Sequence, residues 1–278
     1  MKKIKLLLCL FMLTTLCGCS NSNKNESSKT LNAAMFWIST SLDPTNNYDG
    51  WVLSRIGVGE TLLKLNEKYE VEPYLAKSYE QIDDTTWKLT LKDSITFSNG
   101  KKVTGENVKS CLERAFEKNT RAIDYFDLNH VEAKGQDIYL YLNKSSGAIL
   151  NNLCEPLFTI YDASQSEEDI ASHPICTGPF VVDDFVSEKT IDTSKNKKYY
   201  DGKAKLDHVH FSQVADSDAR VLALQSGEVD LANTIDYSSL KLFRNNKDYQ
   251  VLEVLGPRTN VIYMNNETTF LSDLTIRK

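Results

Sequence analysis

Trp87, Leu89 and Leu91 alternate with Lys88, Thr90 and Lys92, the period-two pattern of a strand with one wet face. Ile95 and Phe97 extend it, and Ser98-Asn99-Gly100 marks a turn. The period then changes. Val108, Cys111, Leu112, Ala115 and Phe116 recur at three- and four-residue intervals, one apolar stripe of a helix for which Thr104 is the cap. Ile138, Leu140 and Leu142 alternate again, and Phe180–Val186 and Val209–Phe211 read as short strands. Asp216 or Ser217 caps a helix carrying Ala219, Val221, Leu222 and Leu224, with Gly227 as its stop. Asn260–Asn265 reads as another strand, and Ser272 and Asp273 cap a helix that starts at the last residues. Strands and helices interspersed in this way predict an α/β or mixed α+β fold.

The first thirty residues follow a different pattern. Lys2, Lys3 and Lys5 precede an apolar run, Leu6 to Leu16, too short to span a bilayer but suited to a signal peptide. Leu16-Cys17-Gly18-Cys19 resembles the bacterial lipobox, which implies cleavage after Gly18 and lipid on Cys19. An ordinary secretory signal with incidental cysteines is the alternative. Residues 19–30, rich in Ser, Asn and Lys, read as a flexible tether to a body spanning 31–278. The expected location is the outer face of a bacterial cell membrane, lipid-anchored, or the periplasm in a Gram-negative cell.

Among 278 residues the chain carries 32 Lys and Arg against 38 Asp and Glu, a net charge of −6. Loss of residues 1–18 would remove three lysines and leave the body more acidic. That balance argues against a nucleic-acid partner, which calls for a basic stripe. Beyond the signal and Cys19, Cys111, Cys154 and Cys176 remain. Cys111 falls on the helical stripe and is expected as a buried, inert thiol; a Cys154–Cys176 disulfide is a second expectation. No C-x-x-C pair, nucleophile elbow, zinc-protease motif or phosphate loop occurs, so no enzymatic activity is expected. His208-Val209-His210 places two imidazoles on one strand face, but surface histidines flanking a buried Val209 explain them without a metal. Asp83-Asp84 and Glu167-Glu168-Asp169 read as charged turns or helix starts.

Several motifs, in order, resemble the family 5 extracellular solute-binding proteins of ABC importers. They are Leu42-Asp43-Pro44; Glu60-Thr61-Leu62; Val71 to Tyr79; Trp87 to Lys92 with Ile95, Phe97, Gly100 and Val108; Thr177-Gly178-Pro179-Phe180; Tyr199-Tyr200-Asp201-Gly202 with Leu206-Asp207; and Gly227-Glu228-Val229-Asp230. Tyr79, Lys92, Gly105 and Asn107 depart from the family's usual residues. Asp273 to Lys278 resembles the motif that opens the family's second lobe. The resemblance therefore implies a type II periplasmic-binding-protein-like lobe I, with an inserted subdomain over about residues 80–175 and lobe II missing.

What the resemblance implies for function is capture of a peptide or a nickel chelate and its delivery to ABC permease subunits, by a monomer without a cofactor of its own. An extracellular peptide sensor and a non-functional remnant are the alternatives. The family's ligand-contacting regions fall on Tyr48, Asp49, Gly50 and Trp51; on Arg121 and Tyr125; on Asn233; and on Arg258, Thr259 and Asn260. Tyr and Trp give large contact area at low entropy cost, Gly50 lets the backbone approach a ligand, and Arg121 can grip a carboxylate with two bonds.

Overall fold

A computed structural model describes residues 28–254, 256 and 261–277. The signal segment and Cys19 lie outside them. In chain order the elements are β1 (Thr30–Met35), α1 (Gly50–Arg55), β2 (Leu63–Leu65), β3 (Val71–Pro73), β4 (Ala76–Gln81), β5 (Thr86–Leu91), α2 (Gly105–Lys118), α3 (Ala122–Tyr125), β6 (Leu128–Lys134) and β7 (Asp137–Leu142). There follow α4 (Ile149–Asn152), a 3-10 turn at Pro156–Phe158, α5 (Glu167–Ser172), β8 (Phe180–Val186), β9 (Thr190–Lys195), β10 (His208–Gln213), α6 (Ser217–Ser226), β11 (Leu231–Ala232) and α7 (Leu274–Arg277).

One sheet has the order β11-β1-β10-β9-β8. β1 runs parallel to both β10 and β11, whereas β10, β9 and β8 are antiparallel. The carboxyl ends of β11, β1 and β10 therefore share one side of the sheet, where open α/β sheets hold ligands. A second, antiparallel sheet has the order β4-β5-β7-β6. Leu89 and Leu91 on β5 and Ile138 and Leu140 on β7 are buried there, as their alternation requires. α2 packs on β6 and β7 with Val108, Cys111, Leu112 and Ala115 buried. Thr104 caps α2: the Asn107 N–H donates to Thr104 Oγ1, and Thr104 N–H donates to Asn107 Oδ1 at 2.9 Å. The family departure at Asn107 thus keeps the oxygen that a capping box needs. Residues of both sheets enter one continuous core.

Asp216 accepts from the Ala219 N–H at 2.8 Å to start α6, and Gly227 ends it at φ 76°. Lys29 and Thr30, assigned to the tether by composition, are already tied into the sheet: Lys29 N–H donates to Asp207 Oδ2 at 2.9 Å and Thr30 opens β1. Cys111, Cys154 and Cys176 are all free thiols. The expected Cys154–Cys176 bridge is not formed. Cys154 Sγ faces the Leu150 carbonyl within its own turn, while Cys176 is sealed in the core beside Tyr161. Cys111 is buried, its thiol against the Tyr161 carbonyl, and burial pushes its pKa up to about 12.

The chain divides into two compact units, one ending at Ile235 and one beginning at Asp236. The second carries a Phe243–Tyr249 edge-to-face pair and a forked Arg244–Glu253 ion pair. The strand expected over 260–265 does not form among its described residues. Val261, Ile262 and Tyr263 are exposed, and no main-chain group of Val261–Met264 finds a ladder partner among the described residues. Apolar pattern alone does not make a strand without an edge to pair with.

Candidate functional site

Beyond the carboxyl ends of β1 and β11 lie Phe36 and Asn233. The Asn233 N–H donates to the Ala34 carbonyl at 3.2 Å, and its Oδ1 accepts from the Phe36 N–H at 3.1 Å. Arg220, buried on α6, donates to four main-chain carbonyls: Val214, Ala215, Asn233 and Thr234, at 2.6, 2.8, 3.0 and 2.6 Å. These are the carbonyls that a sheet leaves orphaned where its strands stop. One guanidinium thereby fixes the rim on which Phe36 sits.

From Phe36 a row of side chains continues along the same unit. The Arg55 guanidinium lies 5.5 Å from the Phe36 ring centre and 5.4 Å from that of Trp51. Trp51 and Arg55 are four residues apart on α1, which puts them on one helix face. Trp51 Nε1 donates to Glu155 Oε1 at 2.8 Å. The Tyr125 hydroxyl also faces Glu155; burial first, and the Glu155 charge next, push its pKa up to about 12. Arg121 Nη2 donates to Tyr125 Oη at 2.7 Å, and the Arg121 guanidinium stacks 3.8 Å from the Tyr48 ring centre. Tyr48 is 54% exposed and Trp51 38%. The row runs Asn233, Phe36, Arg55, Trp51, Glu155, Tyr125, Arg121, Tyr48. It offers rings, two guanidiniums and one carboxylate.

A buried layer holds this row in place. Arg114 of α2 grips Asp43 with both terminal nitrogens and donates to Thr45 Oγ1 at 2.6 Å and Tyr161 Oη at 2.9 Å. Burial would raise the Asp43 pKa, but the bonds from Arg114 and Thr45 outweigh it and hold the carboxyl below its usual range. Asn119, at the end of α2, donates through Nδ2 to the carbonyls of Thr45 and Asn47, each at 3.1 Å. Asn47 is thereby kept at φ 44°, left-handed backbone that asparagine tolerates. That bend delivers Tyr48 to Arg121, whose Nη1 donates back to the Asn47 carbonyl at 2.9 Å.

Of the residues named from sequence, Tyr48, Trp51, Arg121 and Tyr125 converge, and Asn233 anchors the row's far end. Asp49 and Gly50 face inward instead. Asp49 is buried and accepts from Asn46 Nδ2 at 2.6 Å. Burial, with the nearby Asp43 charge adding to it, pushes its pKa up to about 6 despite that bond. Gly50 packs on the 3-10 turn, where a Cβ would meet the Pro156 oxygen at 2.3 Å. Its small size lets backbone approach backbone, not ligand. Arg258, Thr259 and Asn260 lie outside the described residues. Phe36, Arg55 and Glu155 were not expected; only Arg55 had a sequence signal, its four-residue spacing from Trp51. His208 and His210 lie on β10, with His210 Nδ1 2.6 Å from Asp192 Oδ1, and no group of three His, Cys, Asp or Glu among the described residues could hold a metal ion.

The family model "Bacterial extracellular solute-binding proteins, family 5 Middle" matches residues 70–278. The chain belongs to this family. Among its relatives is the nickel-binding protein NikA of Staphylococcus aureus, 33% identical over 251 residues, covering 90% of this chain and 50% of the relative. The crystal structure of that protein in complex with Ni(L-His)2 superposes with a TM-score of 0.75 over 79% of this chain and 46% of the other. A nickel ABC transporter structure from Bacillus halodurans gives the same TM-score and coverage at 30% identity. The glutathione-binding protein GsiB of Escherichia coli O157:H7 is 27% identical over 214 residues, 73% of this chain and 42% of that protein. The chain spans about half the length of the curated relatives it matches. The mixed α/β fold is that of the family 5 solute-binding proteins.

Proposed function

We propose that this chain supplies one wall of a ligand-capture site serving an ABC importer, that its ligand is a nickel chelate of a small amino-carboxylate, and that Cys19 carries the lipid that keeps it at the outer membrane face. The observation that carries the reading is the Arg121–Tyr48 stack beside Tyr125 and Trp51. Guanidiniums hold the carboxylates of an organic chelate, and flat rings cover its apolar faces. These are groups for a metal already wrapped in its ligand, as in the Ni(L-His)2 bound by the S. aureus relative. The nickel proteins of S. aureus and B. halodurans are 33% and 30% identical to this chain. Bound by this wall by itself, such a ligand keeps much of its surface in water while the ordering costs remain, so the affinity of these residues alone is expected to be low.

Equilibrium dialysis of the chain against nickel and L-histidine mixed one to two is the test. Binding weaker than about 10 μM, and weakened further by Arg121→Gln, is expected for one wall. No binding at millimolar chelate, or binding indifferent to Arg121, overturns the reading. A short peptide is the second reading, favoured by the likeness to GsiB; glutathione displacing the chelate from the wild-type chain would support it.

A further inference from the structure

Glu155 stands out in the row because its charge is unmatched among the described residues. Its main chain is fixed, with N–H donating to the Asn152 carbonyl at 3.1 Å and its carbonyl accepting from Phe158 at 2.9 Å. Its side chain accepts from Trp51 Nε1 at 2.8 Å and lies near the Tyr125 hydroxyl, both neutral groups. A carboxylate has about four acceptor positions, so most remain to be filled. No Lys, Arg or His among the described residues lies within ion-pair distance of it. The Arg121 guanidinium is held one residue away, on the far side of the same Tyr125 hydroxyl. Tyr125 accepts from Arg121, and the Glu155 carboxylate lies near the same hydroxyl. One phenol therefore separates a carboxylate-binding group from an amine-binding group on a single surface. Either indole or phenol could be satisfied by a neutral acceptor or by water, so neither explains a charge there.

We propose that Glu155 is a specificity-determining residue, accepting from an N–H of the ligand's amine while Arg121 takes its carboxylate, so that the surface selects α-amino carboxylates over ligands bearing carboxylates alone. This rests on the capture function above. In a metal chelate the donor is the metal-bound amine; in a peptide it is the terminal ammonium. Bonds to a charged partner are the stronger kind. The carboxylate also repels chelates that present only anionic groups.

The experiment compares two probes, nickel with L-histidine at one to two and nickel nitrilotriacetate, whose tertiary amine has no N–H. Dissociation constants come from equilibrium dialysis of the full chain. The wild type is expected to prefer the histidine chelate by about tenfold, the usual value of a charged hydrogen bond. In Glu155→Gln, whose amide oxygen still accepts from Trp51, the ratio falls toward one. Arg121→Gln weakens both probes and keeps the ratio. A ligand-side control needs no variant: replacing L-histidine by its N,N-dimethyl derivative should erase the wild-type preference. A ratio unchanged in Glu155→Gln, or a preference surviving dimethylation, overturns the inference while leaving the capture function standing. Failure of the wild type to bind either probe removes both.

Discussion

Arg114 holds Asp43 through both arms of its guanidinium, Nη1 to Oδ1 at 2.8 Å and Nη2 to Oδ2 at 2.6 Å. Both side chains are almost wholly buried. The pair joins the long helix α2 to the loop that carries Tyr48, so it links the antiparallel sheet's helix to the candidate surface. Removing Arg114 leaves the Asp43 carboxylate in the core with only its Thr45 bonds and no counter-ion among the described residues. Arg114→Met is expected to cost about 3 kcal/mol, read as a lower urea midpoint. The double variant Asp43→Leu, Arg114→Met should recover a large part of that loss, because a packed apolar pair replaces a desolvated ionic one.

Asp49 gives stability a pH dependence of opposite sign to that of Asp43. Its folded-state pKa is raised from 3.8 to about 6 by burial and by the neighbouring Asp43. Below the unfolded value both states are protonated and nothing is lost. As pH rises through the window from 3.8 to about 6, the unfolded chain releases its proton first, and the folded state loses stability. The penalty is fully present above that window. Asp43, held below 3.8, instead contributes stability that is lost as pH falls through its folded value. Asp49→Asn is therefore expected to be more stable than wild type at pH 7.5, with the difference shrinking toward zero as pH falls below 3.8. Thermal unfolding above and below that window checks this, and a variant less stable at pH 7.5 would contradict it.

Gly50→Ala tests the close approach of α1 to the Pro156 turn. A methyl group 2.3 Å from the Pro156 oxygen must push the two backbones apart. The expected cost is about 2 kcal/mol, together with a change in Trp51 fluorescence as its indole leaves Glu155. Gly147→Ala serves as the comparison, since nothing lies within 4 Å of its added carbon. Equal effects of the two substitutions would contradict a close backbone contact at Gly50.

Tyr48→Ala removes the ring on which Arg121 stacks at 3.8 Å. The guanidinium keeps its bonds to Asn47 and Tyr125, so its position is retained and only the ring contact is lost. Nickel–histidine binding should weaken by about three- to fivefold, the value of an exposed cation–π contact. Arg121→Ala should weaken it at least tenfold. Equal losses in the two variants would point to a collapsed loop, which circular dichroism would detect.

Local pattern made much of the fold readable. The Thr104 cap, the α2 stripe, the alternation in β5 and β7 and the Gly227 stop each depend on neighbours within a few residues. So do the turn at Gly100, at φ 89°, and the start of α7. The candidate surface was readable where motif resemblance marked a loop, at Tyr48, Trp51, Arg121 and Tyr125. It was unreadable where two distant segments had to meet. Glu155 finds Trp51 across 104 positions, and nothing in its own surroundings announces that pairing. Asp49 and Gly50 sit in the right loop but point the other way, since sequence gives the position of a turn and not its inward side. Val261–Met264 carries the residue types of a strand without a ladder partner among the described residues.

Asn119 has a consequence for engineering. Its single amide clamps two carbonyls of a loop more than seventy positions earlier in the chain. A designer who grafts residues 45–51 from a relative to change what is recognised will import a bend without its fastener. Recipient and donor must match at position 119, or that residue must travel with the graft.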